Sequence, residues 1–461
     1  MNLGFSAKFC TPNHADECCA RPGGASPASV GLMRVTTRPA VLSGGITVLL
    51  VALAAVVPVL TGEDVRVHFP PLHAWWGPRL NPRIVGAVVV AVFGLLYLPP
   101  LCRRLPWRWT VVLATGAAWL WTVSLGLSDG KYGFARVYDR KAEYWYDAVR
   151  VQDVAATLAE YVDRIPYAHP ENWHTHVAGH PPAALLSFVG LNRVGVEDTF
   201  WVGMIVASVG VTAVAAVLLT LDELGSRSLA RRAAPWLALA PLVVWAGSSG
   251  DTYFAAVAAW GLYALARAGR RGSWPWAVVA GLLLGWCVFL SYGLVLLGVI
   301  ALTVVFLTRA WWTVAVAGAA AVVVALGFWA FGFAWWEAYP VLRERYYDGI
   351  ASERAYWYWV WANIAAWTFT VGVATWAAFP AMVQAMRQRM PLAILAASGL
   401  GAIVLATLSG MSKAEVERIW LPFTVWVVTL PALLPDRWQR PLLASQLAIA
   451  FFAQMALITR W

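Results

Sequence analysis

Charge is scarce in this chain. Of 461 residues only 13% are Asp, Glu, Lys or Arg, about half the share of a typical soluble domain. With 60% hydrophobic residues and a mean hydropathy of +0.64, that scarcity excludes a water-soluble globule. Cysteine is scarce as well, and Cys10, Cys18, Cys19, Cys102 and Cys287 make no disulfide framework. No glycine-rich loop with Walker spacing is present to cradle a nucleotide phosphate. Internal repetition at a solenoid period is also missing. No cleavable signal peptide is evident, so the first apolar segment is expected to be retained.

What is there in abundance is apolar run and tryptophan, 29 of them, a side chain suited to membrane interfaces because its ring is apolar and its N–H stays wet. A bilayer core of about 30 Å takes roughly 17 to 25 apolar residues per helix. On that measure the sequence predicts an all-α, polytopic membrane protein of about thirteen spans, near 41–60, 84–101, 110–127, 199–220, 233–248, 251–268, 274–290, 293–307, 311–333, 358–378, 391–409, 419–434 and 442–459. The excess of 34 Lys and Arg over 24 acids falls in short loops between these runs. That distribution argues for cytoplasmic loops and against a nucleic-acid-binding face. With the N-terminus inside, Arg103, Arg104, Arg108, Arg227, Arg231, Arg232, Arg267, Arg270, Arg271, Arg309, Arg387, Arg389, Arg437 and Arg440 all fall in cytoplasmic loops and the C-terminus falls outside. The expected home is the cell membrane.

Residues 1–32 differ from the rest, being rich in Pro, Gly and Cys and poor in apolar side chains, and are expected to be disordered. Met33, with a basic flank leading into the first span, is the expected natural start, with residues 1–32 expected to be a non-native extension. Cys10, His14, Cys18 and Cys19 have the makings of a metal cluster only by composition. Beyond them the chain divides into the first three spans (33–127), a long outer loop (128–198), a transmembrane core (199–334), an outer Arg/Tyr loop (335–357) and C-terminal spans (358–461) interrupted by an outer loop at 410–418. Pro182 to Val194 is too short to span and is expected to lie on the outer surface as a juxtamembrane helix. The spacing of Tyr144, Val151, Val154, Leu158 and Val162 predicts a second amphipathic helix over 143–165.

Ionisable groups at the outer ends of spans are functional candidates, because charge near the membrane is costly to keep. The 128–181 region carries eight of the 24 acids and four of the seven histidines. Asp129, in LGLSDGKYG, follows the third span directly; a carboxylate partly shielded from water is a better base. It would serve equally as an interfacial cap or as a partner of Lys131 or Arg136. Asp139 and Glu143 are the next candidates, each able instead to pair with Arg140 and Lys141. His174, His176 and His180 have a spacing that could ligate zinc or manganese, although the Pro-Pro step after His180 is explained as well by a turn; His180 alone could hydrogen-bond substrate. No cofactor is called for beyond that weak divalent-metal reading.

In the 335–357 loop, Arg343, Arg345 and Arg354 alternate with Tyr346, Tyr347, Tyr356 and Tyr358, and the planar guanidinium fork suits phosphate oxygens. An interfacial aromatic belt with Arg–Glu pairs would look the same. The 410–418 loop adds Lys413, Glu415, Glu417 and Arg418. Asp251, in GSSGDTYF, is a further outer acid or a helix N-cap.

At GHPPAALLSFVGLNRVGVEDTFWVGMIVASVGVTAVAAVLLTLDELGSRSLARRAAPWLAL the order of features resembles the C-type glycosyltransferase superfamily (GT-C), in particular the dolichyl- or polyprenyl-phosphate-mannose protein mannosyltransferases and their bacterial relatives. The likeness runs through GSSGDTYF and FLSYGLVLL over roughly residues 110–310. It implies a catalytic acid at Asp129 and the motif closing the outer loop at His180-Pro181-Pro182. It further implies transfer of a sugar from a polyprenyl-phosphate donor to a glycan, lipid or protein hydroxyl outside the membrane. Two spans more than in the relatives precede Asp129, and Gly130 stands where a second acid is usual, which keeps Asp139 and Glu143 as alternatives. On this expectation Arg343, Arg345, Tyr346, Arg354, Lys413, Glu417 and Arg418 bind substrate together with His180. The competing classes are a flippase for lipid-linked glycans and a noncatalytic envelope-assembly protein. A flippase predicts charges inside spans, and 293–307, 311–333 and 442–459 hold essentially none.

Overall fold

The computed structural model describes residues 37–247 and 249–459. The amino-terminal segment with Cys10, His14, Cys18 and Cys19 lies outside the described residues. The chain is 76% helical, as a sequence of long apolar runs requires once every backbone group must bond within its own segment.

Among the described residues six helices are long and apolar enough to cross a membrane: Thr37–Thr61, Ile84–Arg104, Trp107–Asp129, Thr199–Glu223, Trp312–Ala330 and Pro391–Leu408. The bent pair Tyr356–Ala377 and Phe379–Arg387 makes a seventh. Burial separates their positions. In Thr37–Thr61 only 17% of the apolar stretch is covered, against 61% in Thr199–Glu223, so the first lies at the rim and the second inside the bundle. Three shorter apolar helices, Trp274–Leu290, Tyr292–Thr308 and Leu421–Leu433, complete the apolar set.

Several expected elements differ in shape, each for a local reason. The run at 233–248 is no single helix: Arg227–Ala238 ends before Pro241, which cannot continue the hydrogen-bond ladder, and only the turn Val243–Ala246 follows. The helix Tyr356–Ala377 breaks at Gly372, where φ is +69° and a Cβ would meet the Gln446 amide at 1.7 Å. Gln446 donates to the carbonyl of Val371 across that break at 2.8 Å. The single amphipathic helix expected over 143–165 is two short ones, Tyr144–Ala148 and Val154–Ala159. Asp153 starts the second by accepting from the backbone N–H groups of Ala155 and Ala156 at 2.7 and 3.2 Å. Pro182–Arg193 does form a helix, but its Ala183, Leu185 and Phe188 are buried, so it packs into the protein instead of resting on a surface. Among the described residues one two-stranded sheet forms: Ala74–Trp76 pairs antiparallel with Leu457–Thr459, clasping the 62–83 loop to the 457–459 segment.

The basic loops meet at one end of the bundle. Arg231 donates to the carbonyls of Cys102 and Leu105 at 2.8 and 2.7 Å. Arg232 reaches Ala432 and Leu434, and shares Asp436 with Arg103. Arg267 pairs with Glu223. The helices that leave this end carry Asp129, Asp251 and Arg418 to the opposite end.

Candidate functional site

At that opposite end, the three regions that the sequence expects outside the membrane line one cavity of about 190 Å³. The long loop contributes Tyr167, Thr175 and Gly179, the helix Trp335–Asp348 contributes Leu342, Arg345 and Tyr346, and Arg354 follows it. The 410–418 loop closes the cavity with Ser412, Lys413, Ala414 and Glu415.

That loop is held in a strained shape. Ala414 and Glu415 both have positive φ, +69° and +62°, a region costly for side chains other than glycine. Asn363 pins it on both sides, its Nδ2 donating to the Ser412 carbonyl at 2.7 Å and its Oδ1 accepting from the Ala414 N–H at 3.1 Å. The result is that Glu415 and Arg418 turn inward together.

Behind the cavity wall lies a buried ionic network. Arg418 Nη1 donates to Asp251 Oδ2 at 2.8 Å and its Nη2 donates to Glu415 Oε2 at 2.8 Å. Glu415 Oε1 lies 3.0 Å from His73 Nδ1 and 3.5 Å from Arg354 Nη2. The His73 hydrogen bond, with Arg418 and Arg354 close by, outweighs burial and holds the Glu415 carboxyl well below its usual range. Asp251 also accepts from Ser249 Oγ at 2.6 Å. Burial of charge without partners is expensive, and here each carboxylate is matched.

Glu143 completes the acidic side. It is 6% exposed and its Oε1 lies 3.3 Å from His176 Nε2. Burial pushes its carboxyl up to about 7, against the pull of Arg418, with Asp251 and Glu415 adding to the rise. Burial likewise drives His176 down to about 3, so the neutral imidazole puts no charge beside Glu143.

Among the cations, Arg354 has a buried Nε with no hydrogen-bond acceptor, while its Nη2 lies 3.5 Å from Glu415 Oε1 as an ion pair. Its Nη1 donates to the Lys413 carbonyl at 2.7 Å, which orients the guanidinium. Lys413 Nζ donates to the Ala351 carbonyl at 2.8 Å; burial, aided by Arg354, lowers its pKa. Arg345 lines the cavity but uses its fork on the long loop, donating to the carbonyls of Ile165 and Trp173 and to Asn172 Oδ1.

Of the residues expected here, Glu143, His180 and Arg418 do not line the cavity, and four others stand elsewhere. Asp129 faces a separate small cavity, accepting from Arg79 Nη1 at 3.2 Å and Gln454 Nε2 at 3.3 Å. Asp139 accepts from Thr199 Oγ1 at 2.7 Å on an exposed face, beside the start of a helix. Arg343 is exposed and off the cavity wall. Glu417 is 1% exposed and points into the protein with Oε2 unpartnered, its carboxyl pushed by burial up to about 7.

The three histidines do not converge. His174 Nδ1 lies 2.8 Å from Asp147 Oδ1, His176 serves Glu143, and His180 Nδ1 lies 3.0 Å from the Leu290 carbonyl inside a box of Tyr144 and Phe254. Among the described residues no three His, Cys, Asp or Glu side chains gather as metal ligands. Sequence reasoning missed His73 altogether, because the 62–83 loop reads as scaffold; its only signal was a histidine between aromatics in HFPPLHAWW. The pairing of Asp251 with Arg418 spans 167 positions and leaves no local trace.

No family model, curated protein or solved structure matches the chain.

Proposed function

We propose that this chain is a membrane glycosyltransferase that moves a sugar from a polyprenyl-phosphate donor to an acceptor hydroxyl on the extracytoplasmic side, with inversion. The observation that carries the reading is that all three regions expected outside the membrane line one cavity, with the Arg354 guanidinium at its wall, its Nε without an acceptor, and with the buried Glu143 carboxyl close to the Arg418 network. Arg354 and Lys413, with the Tyr346 hydroxyl beside them, bind the donor phosphate; desolvated cations of this kind stabilise the charge that grows on a leaving phosphate.

Glu143 is the general base in this proposal, in place of Asp129. A base works best with a pKa near the operating pH, and Glu143 lies there while Glu415 is held ionised by His73, Arg418 and Arg354. Glu143 takes the acceptor hydroxyl proton as the oxygen bonds to the anomeric carbon. The bond from that carbon to the phosphate oxygen breaks, and its electron pair stays on the phosphate. The leaving group then needs no proton.

The experiment is sugar transfer by purified protein in lipid, using a panel of radiolabelled polyprenyl-phosphate sugars and a cell-envelope acceptor fraction. Transfer by the wild type that Glu143→Gln abolishes supports the proposal. A folded protein that transfers nothing from any donor contradicts it and favours a carrier of lipid-linked glycans.

A further inference from the structure

At the end of the bundle opposite the candidate site, a second cavity of about 380 Å³ opens between the close of Ile84–Arg104 and the start of Asp436–Ala456. Its walls carry Pro99, Pro100, Arg103, Arg104, Arg437 and Arg440. Among the described residues only one carboxylate serves them. Asp436 is occupied twice, bonded by both terminal nitrogens of Arg103 at 2.8 and 2.9 Å and by Arg232 Nη1 at 2.6 Å. Arg104, Arg437 and Arg440 form no ion pair among the described residues.

A general excess of arginine in cytoplasmic loops explains basic residues anywhere on this end. It does not explain why guanidiniums from two helices more than 300 residues apart surround one hollow. The depth of the hollow matters too. It sits where an apolar helix of 21 residues ends, which is headgroup level for a helix rising about 1.5 Å per residue. Leading up to it on Ile84–Arg104 is a strip of exposed apolar side chains, Phe93, Leu96 and Tyr97, at 48%, 40% and 53% exposure. A cationic hollow joined to an apolar strip matches a ligand with an anionic head and hydrocarbon tails.

We infer that this cavity is a binding site for the phosphodiester headgroup of an anionic glycerophospholipid, with the acyl chains laid along Phe93, Leu96 and Tyr97. Arg104, Arg437 and Arg440 supply donors to the phosphate, while Arg103 and Arg232 are held back by Asp436 and fix the two helix ends against each other. The site is independent of the transferase proposal, since it lies at the other end of the bundle and shares no residue with the outer cavity. Juxtamembrane arginines attract anionic headgroups, and here they are gathered into a fixed cup.

The test is native mass spectrometry of the full chain extracted from vesicles of phosphatidylglycerol and phosphatidylcholine in equal parts. Arg104→Gln, Arg437→Gln and Arg440→Gln are combined in one variant, which leaves the Asp436 ion pairs intact and so spares the fold. A control variant carries Arg108→Gln, Arg309→Gln and Arg387→Gln, arginines outside the cavity. The wild type and the control are expected to retain phosphatidylglycerol. The cavity variant is expected to hold it about a hundredfold more weakly, for three lost juxtamembrane charges, with an unfolding midpoint near that of the wild type. Equal loss in both variants, no loss in either, or equal retention of phosphatidylcholine overturns the inference. So does displacement of the lipid by soluble glycerol phosphate at matched concentration, which would make the free phosphate the ligand.

Discussion

Arg418 grips Asp251 at 2.8 Å with only 6% of either side chain exposed, and this contact ties the short helix before Leu421–Val427 to the first turn of Asp251–Arg271. Removing one partner of such a pair strands the other in a poor solvent, at a cost of about 3 to 5 kcal/mol. Arg418→Ala is therefore expected to lower the unfolding midpoint in detergent sharply, because Asp251 and Glu415 lose their common cation. The double variant Arg418→Met with Asp251→Leu is expected to recover much of that loss. A midpoint unmoved by Arg418→Ala would show that water reaches the network.

The phosphate role of Arg354 separates binding from chemistry. Arg354→Ala removes the guanidinium, with its acceptor-free Nε, from the cavity wall, and one charge-assisted hydrogen bond is worth about 1.5 to 3 kcal/mol. The donor KM is expected to rise at least tenfold while the acceptor KM holds. Arg345→Ala is expected to act differently: its donors anchor the Ile165 and Trp173 carbonyls, so it loosens the long loop, and limited proteolysis near 165–173 should speed up.

Acidity dependence follows from Glu143. As base it must be ionised, and burial has raised its carboxyl to about 7. The rate is expected to climb roughly tenfold per pH unit below 7 and to level off above it. A profile with its acid limb near pH 4 would point to an unshifted carboxylate such as one on an exposed face.

Glu417 bears on stability. Its carboxyl moves from the usual 4.5 to about 7 on burial, so the folded protein keeps a proton that the unfolded chain releases. That contribution is whole below about pH 4.5 and is lost as pH rises through 7. Glu417→Gln, which cannot ionise, is expected to flatten the fall in the unfolding midpoint between pH 4.5 and 7, and to stabilise at pH 8 by roughly 3 kcal/mol at most. Midpoints that run parallel for both proteins would contradict this.

Much of the cavity beside Arg354 was legible from the chain alone. Arg345, Tyr346, Arg354 and Lys413 drew attention as cations and aromatics beside apolar runs, and they do line one wall. Composition sufficed because the cost of keeping charge near a membrane is set by residue type, whatever the fold. Asp129 stands apart from that cavity, and its local context, an acid just past a span, is the same whether it faces substrate or clasps Arg79 and Gln454. Which acid sits beside which cation depends on packing over long separations, as with Asp251 and Arg418. Thirteen apolar runs were likewise visible, yet hydropathy could not foresee that Pro241 ends one helix or that Gly372 bends another.

The base assignment is tested most directly by single-turnover transfer from one labelled donor, comparing Glu143→Gln with Asp129→Asn in the same lipid. A loss of about 100-fold to 10,000-fold in Glu143→Gln, with Asp129→Asn within a few-fold of wild type, is the expected result. The reverse order, with Asp129→Asn inactive and Glu143→Gln active, would contradict the account and move the chemistry to the small cavity beside Arg79.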